Sequence, residues 1–531
     1  MKKLIIILLI GISFRSLGQN IKINGGNPLA LTNVITLSQK GIASDADLSM
    51  YSSTFGSDQT SAIQAILNTA SKASPLNILW DCKISCTGLK IKSYTTINAL
   101  PGCGAILRDG SNSSLLINYN WTANSNVIVD SSITINGGIW NGNGWRGGVA
   151  KQTNNSTADG QHTVFNWFGV KNISMTNFSA YNSVSWSLLF ITSENVYINN
   201  FIVDDSIPHI VQDGIDFLGY AKNITITNGT INNGDDKITF CPNSTGGATM
   251  SYDHSAYTGV DGDEINIRVD HVYFAQNGKG FAIYNCGGNT IKGLYVSNIY
   301  GYSQTFWLGI FNSDDLSGYT VTTGSKIPQN LFFDNISVEV LKADGYDLTT
   351  FPIVTIACSF RDIHFKNIRR DSFNIANPTI GFYKAVGGTS LSGGLLDIDG
   401  INSITTPQNP TDQIMIASSG VTLKYLSVKN CDVDMGASKL DSSFIKIGAG
   451  ATVTSASIAN NRVNSLKYFY NNYGTSTSIG AIGVYHFGQG GSDPSIINQS
   501  AGTFSTLWMS NWIGQLSTSG TIGTSKGDAF L

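Results

Sequence analysis

Charge is scarce in this chain. Of its 531 residues, 13% are Asp, Glu, Lys or Arg, about half the share usual in soluble domains. The formal balance is −3, so no basic field is available to hold nucleic acid or an anionic membrane surface. An anionic polymer would have to be met by local cations. Beyond the first residues no apolar run is long enough to span a bilayer. No Cys-x-x-Cys or His-x-x-x-His pattern occurs, which argues against zinc. WD and kelch signatures are also missing, which removes the common propellers. The seven cysteines are an odd set. Spacing leaves several pairings open: Cys82 with Cys86, either of them with Cys103, or Cys241 with Cys286.

The chain opens with Met1-Lys2-Lys3, an apolar run from Leu4 to Ile12, and the small residues of Ser16-Leu17-Gly18. This reads as a secretory signal over residues 1–18, cleaved near Gly18, because the run is too short for a membrane anchor. The mature protein is then expected outside the cell or in the periplasm, where disulfides are permitted.

Polarity comes from Asn, Ser, Thr and Gly. One stretch, 58–73, reads as a helix: Asp58 can cap it, and Ile63, Ile66 and Leu67 share a face. Elsewhere short strands alternate apolar and polar residues. Val170-Lys-Asn-Ile-Ser-Met-Thr-Asn-Phe, Asn195-Val-Tyr-Ile-Asn-Asn-Phe-Ile-Val and Asn223-Ile-Thr-Ile-Thr-Asn-Gly-Thr-Ile are variants of one phrase. It returns most often every ~20–30 residues, the mark of a solenoid. Asn at matching corners can adopt the left-handed conformation and stack its amides. The fold expected is all-β: a single right-handed parallel β-helix over 19–475, capped by the 58–73 helix, with 476–531 as its C-terminal end. A β-sandwich or a chain of small β domains is the alternative.

Two acidic motifs stand out: Gln-Asp-Gly-Ile-Asp at 212–216 and Gly-Asp-Asp at 234–236. Asp213 and Asp235 are 22 residues apart, close to one coil, and stacked strands lie about 4.8 Å apart. Asp213, Asp235 and Asp236 should therefore meet on one external groove. Gly234 offers the bend that lets both neighbours project. Clustered carboxylates push their pKa values apart, so one can stay protonated as an acid while others stay ionised. Glycosidic hydrolysis needs that division; inverting enzymes keep the two groups about 6.5–9.5 Å apart around a water. Solvated Asp turns or a calcium site would use the same residues.

Further motifs give these residues a context. Ile135-Asn-Gly-Gly-Ile-Trp-Asn-Gly-Asn-Gly-Trp145, Asn182-Ser-Val-Ser-Trp-Ser-Leu, Val211-Gln-Asp-Gly-Ile-Asp and Gly234-Asp-Asp-Lys-Ile-Thr-Phe occur in order. Together they resemble the signature segments of the family 28 glycoside hydrolases, the polygalacturonase family. The resemblance covers residues 130–285. It implies a right-handed β-helix and single-displacement hydrolysis without metal or cofactor. Asp235 would be the general acid, and Asp213 and Asp236 would hold and activate the water, with Asp216 in support.

Two segments depart from the family pattern. Its Gly-His-Gly is matched by Gly278-Lys279-Gly280, so Lys stands where His is expected. Its Arg-Ile-Lys, which binds a uronate carboxylate, falls on Ser303-Gln-Thr-Phe-Trp-Leu-Gly-Ile-Phe-Asn, which has no cation. Plain polygalacturonate is thereby put in doubt as a substrate, because an acid group calls for a charged partner. Lys279 is a candidate for one lost contact. Residues 241–264 read as an insertion from which His254 and Tyr252 can reach the groove. Among the aromatics near these motifs, Tyr220 and Trp307 are expected to meet sugar.

The expected protein is thus a secreted, monomeric hydrolase with a polysaccharide as its partner. A polysaccharide lyase, with Lys237, Lys279 or Arg268 as base, and a non-catalytic carbohydrate-binding β-helix remain open.

Overall fold

The computed structural model describes residues 34–518 apart from 122–126, 147–148, 153–162, 206–211, 243–260, 285–288, 312–325, 341–351, 371–377, 385–389, 405–412, 418–419, 435–442, 465–467, 473–474, 489–494, 500–506 and 511–514. The signal reading over 1–18, and the placement of His254, Tyr252 and Cys286, lie outside the described residues.

The alternating phrases fold as strands that stack in parallel, coil upon coil. Leu188–Asp204 pairs with Phe165–Tyr181 on one side and with Ile215–Asn232 on the other, in register along both halves. The ladder continues through Glu264–Phe274, Ile291–Ser303, Gln329–Val340 and Phe360–Arg370. A second run of short strands stacks beside it, from Asp236–Cys241 to Lys279–Ile283, Leu308–Phe311 and Val354–Ala357. All but two of the described strands join a single sheet system of 32 strands, with Trp145–Arg146 and Val149–Ala150 forming a separate antiparallel pair. This is a parallel β-helix. The pairing goes on past residue 475, where Thr475–Gly488 stacks on Thr452–Asn464 and Leu507–Ser510 on Thr475–Gly488.

In-register stacking turns alternation into columns. On the short strands, Leu188, Ile215, Ile238, Phe281 and Leu308 lie one above another inside the coils, all fully buried. Two positions along, Phe190, Phe217 and Phe240 stack ring on ring at 4.8 and 5.6 Å. Burying each such side chain contributes about 1.5–3 kcal/mol. The interior is a dry column whose shape repeats at every coil.

Asparagine makes the corners. Asn172, Asn195, Asn223 and Asn266 share one corner with φ between 55° and 59°. Each donates its side-chain amide to the previous one at 2.8–2.9 Å. A second ladder runs Asn136, Asn177, Asn200, with links of 2.8 and 2.7 Å. The residue that best tolerates the left-handed backbone thus also carries the group that ties neighbouring coils.

The cap helix is shorter than the 58–73 expected, running Thr60–Leu67. Ile63 and Leu67 are buried, Ile66 is partly so, and Asp58 accepts from the Thr60 amide at 2.9 Å. It protects an open strand edge. The Gln64 side chain donates to the Lys90 carbonyl at 3.0 Å and accepts from the Lys90 amide at 2.8 Å, as a neighbouring strand would. The pairings weighed among Cys82, Cys86 and Cys103 do not form: all three are free thiols. Burial pushes the Cys82 and Cys86 thiols up to about 12, so neither is a ready nucleophile.

Substitutions at Asn200 separate the two roles of the corner residue. Asn200→Gly should lose only the amide bond, about 0.5–1.5 kcal/mol. Asn200→Ala should lose roughly 1 kcal/mol more, because alanine resists the left-handed backbone. Urea unfolding reads both; equal losses would mean that the corner carries no backbone strain.

Candidate active site

The two acidic motifs meet where the short strands begin. Ile215 pairs with Ile238, and the turns before them interlock: the Asp235 amide donates to the Gln212 carbonyl at 2.8 Å, and the Gly214 amide to the Asp236 carbonyl at 2.9 Å. Gly214 leaves the room this needs, because a Cβ there would lie 2.4 Å from the Lys237 carbonyl oxygen. Asn233, fully buried, donates to the carbonyls of Gln212 at 2.6 Å and Asp236 at 2.8 Å. Carboxylate oxygens of Asp213, Asp235 and Asp236 consequently lie within 4.8 Å of one another.

The next coil delivers a cation. The Lys279 ammonium sits 2.5 Å from Asp235 Oδ1 and 3.9 Å from Asp236 Oδ1. Gly278 makes the approach possible: its φ is +76°, and a Cβ would stand 2.2 Å from the Asp235 carbonyl oxygen. That carbonyl accepts from the Lys279 amide at 2.8 Å. A third contact was not foreseen from sequence. The Tyr284 hydroxyl donates to Asp236 Oδ2 at 2.8 Å, while the Asp236 amide donates to Asp213 Oδ1 at 3.0 Å.

Asp216 is 1% exposed and aligned in register with Thr239, and its Oδ2 has no hydrogen-bond partner. Tyr220 is half-buried farther along the same strand, close against Gly262. Trp307 corrects the expectation that it faces sugar. It is 1% exposed and packs inside the coils, edge-on to Phe333 and Phe365. The reason is that the strand it leads into is buried at every position and Trp307 joins the inner cluster beside Leu308, so alternation is no guide there. The outer face near the acids carries instead a tight apolar cluster that includes Trp186, Leu189, Leu218, Tyr284, Phe306 and Phe311.

Burial separates the acids electrostatically. It raises Asp213 and Asp216 well above the usual carboxylate range, each reinforced by the neighbouring acids. Burial also raises Asp235, but the Lys279 charge opposes it and the result is about 6. Burial works against the Lys279 ammonium, yet Asp235 and Asp236 outweigh it and hold its pKa well above the ordinary lysine value. The three carboxylates have the convergence a metal ion would need, but the lysine supplies the positive charge. The lyase bases fare poorly. Arg268 pairs with Asp270 at 3.0 Å on an exposed face, Lys279 is held as a cation by Asp235 and Asp236, and Lys237 is fully buried.

Residues 77–305 match the family model of glycosyl hydrolases family 28. The resemblance carried by the motifs therefore holds across the segment that builds the site. A probable exopolygalacturonase X of Aspergillus niger is 24% identical over 224 residues, 34% of this chain and 45% of that protein. The chain thus spans about half the length of the curated relatives it matches. Among solved structures, the family 28 exopolygalacturonase of Yersinia enterocolitica aligns at a TM-score of 0.49 with 16% identity, covering 78% of this chain and 79% of that one. PfbA, a surface adhesin of Streptococcus pneumoniae, aligns at 0.40 with 11% identity over 86% and 92%. No helix among the described residues is long and apolar enough to cross a membrane.

Asp205 offers a pH test of this electrostatic frame. It is 1% exposed and accepts from the Ser183 amide at 2.8 Å beneath the Asp213 turn. Burial raises its pKa to about 8. A raised carboxyl stabilises the fold fully below its unfolded value, near 4, and loses that contribution as pH climbs through about 8. The Tm advantage of the native protein over Asp205→Asn should therefore shrink between pH ~5 and ~9. A constant gap would place the titration elsewhere.

Proposed function

We propose that this chain is a polysaccharide hydrolase that cleaves glycosidic bonds with Asp235 as general acid, while Asp213 and Asp236 hold and activate water. The observation that carries the reading is the convergence of these three carboxylates, with the Lys279 ammonium on Asp235, inside the segment that matches family 28. An acid poised near 6 is protonated often enough to protonate a leaving oxygen and ionises readily afterward. Asp236, steadied by the Tyr284 hydroxyl and the charge of Lys279, suits the ionised role. The substrate is a glycan other than plain polygalacturonate: Lys279 is already committed to Asp235, and the 303–312 segment offers no cation to a uronate. The protein acts as a secreted monomer.

The closest acid oxygens lie within 4.8 Å, tighter than the ~6.5–9.5 Å that an inverting pair keeps around its water. The Lys279 ammonium draws Asp235 and Asp236 together, so sugar entry has to loosen that pair. Product NMR tests this: the first-formed anomer should be inverted, and a trapped glycosyl-enzyme ester would sink the inverting reading.

Asp235→Asn decides the broader claim. Against a panel of plant and algal polysaccharides, reducing-end release from any cleaved glycan should fall about 10²–10⁴-fold. Unchanged release would remove the hydrolase assignment. Products that absorb in the ultraviolet would mark an eliminating lyase instead.

A further inference from the structure

A lysine buried in the middle of an acid motif needs a reason. Lys237 follows Asp236 directly and is fully buried. Its ammonium donates to the Asn277 carbonyl and, at 3.4 Å, to the Lys279 carbonyl. It also lies 5.6 Å from the centre of the Phe274 ring. Taking an ammonium out of water costs several kcal/mol unless partners repay it. Here those partners are the two carbonyls that flank Gly278, the pivot of the turn bearing Lys279. The groups facing Lys237 are few: Asp235 and Asp236 supply negative charge, and Phe274 and the two carbonyls supply dipoles.

We propose that Lys237 is a positioning residue: by holding the carbonyls of Asn277 and Lys279, it fixes the turn that sets the Lys279 ammonium on Asp235. The inference rests on the reading of Asp235 as the acid. The two lysines then form one device. Lys237 anchors the turn from inside the coils, and Lys279 reaches from that turn into the groove. Lys279 is 21% exposed and Asp235 19%, so their pairing competes with water and depends on a backbone held in place. Burial brings Lys237 down to about 7, against the pull of Asp236 and Asp235, and a neutral amine still donates to both carbonyls.

The test is a double-variant cycle with Lys237→Met, Lys279→Met and the pair, each checked for folding by circular dichroism. Lys237→Met should lower kcat on the order of 10–100-fold with KM within about 2-fold, the signature of a misplaced reacting group. It should also raise the Asp235 pKa, read by NMR on carboxyl-labelled aspartate, and shift the pH–rate profile with it. In the Lys279→Met background, Lys237→Met should change neither quantity further. Additive losses in the double variant, or an unshifted Asp235 in Lys237→Met, would overturn the proposal. Should Lys237→Met fail to fold, Lys237→Gln keeps a donor without the charge and answers the same cycle. If even the unaltered protein cleaves no glycan, the acid–base reading fails, while the NMR titration still decides whether Lys237 acts through Lys279.

Discussion

Everything at this site depends on parallel strands stacking in register. Adjacent coils are held about 4.8 Å apart, so a residue's neighbour is set by coil length rather than by sequence proximity. Ile215 on Ile238, and Ile238 on Phe281, fix three successive turns at one lateral position. Asp213, Asp235 with Asp236, and Lys279 are the polar residues at those turns. The apolar column inside thereby aligns the charged groups outside. A slip of one residue in any of these coils would exchange inward and outward side chains and dissolve the cluster.

That alignment forces charges together, and the surroundings show how the fold tolerates it. Two carboxyls, Asp213 and Asp216, are raised by burial and by the neighbouring acids. Asp235 is ion-paired with Lys279. Asp236 accepts from a phenol. The four acids thus share one ammonium and one phenol hydrogen bond, and burial raises three of them. Asp235 is set apart from Asp213 and Asp216 because the Lys279 charge works against its burial.

The legible parts of the sequence were those governed by local chemistry or by coil length. Asn at the corners announces itself because a left-handed residue and an amide ladder are wanted at the same place, as at Asn195 and Asn223. The meeting of Asp213 with Asp235 follows from their 22-residue separation. What alternation could not reveal lies where alternation breaks. Trp307 and Leu308 are both buried, as are Lys237 and Ile238, because both faces of these short strands are covered and every residue of Asp236–Cys241 and Leu308–Phe311 is buried. The contact of Tyr284 with Asp236 was hidden for another reason: it comes from two strands away in the sequence, across a turn whose geometry only the assembled coils define. The helix ends at Leu67 rather than at 73, and Ala70 reaches the core from the turn that follows it.

The departures from the family pattern form a connected set. A lysine replacing histidine at 279 adds a full, permanent charge at the acids, where an imidazole would carry a switchable one. Such a charge is useful only if its distance to Asp235 is controlled, since the pair sits at the edge of water and a long side chain has many rotamers. Gly278 brings the backbone against the Asp235 carbonyl, Lys237 grips the turn from below, and Tyr284 occupies the far side of Asp236. Each of the three restricts the same degree of freedom, the approach of one ammonium to one carboxylate. A site tuned this way has traded a titrating partner for a mechanically held one, and its acid strength becomes a property of the turn's position.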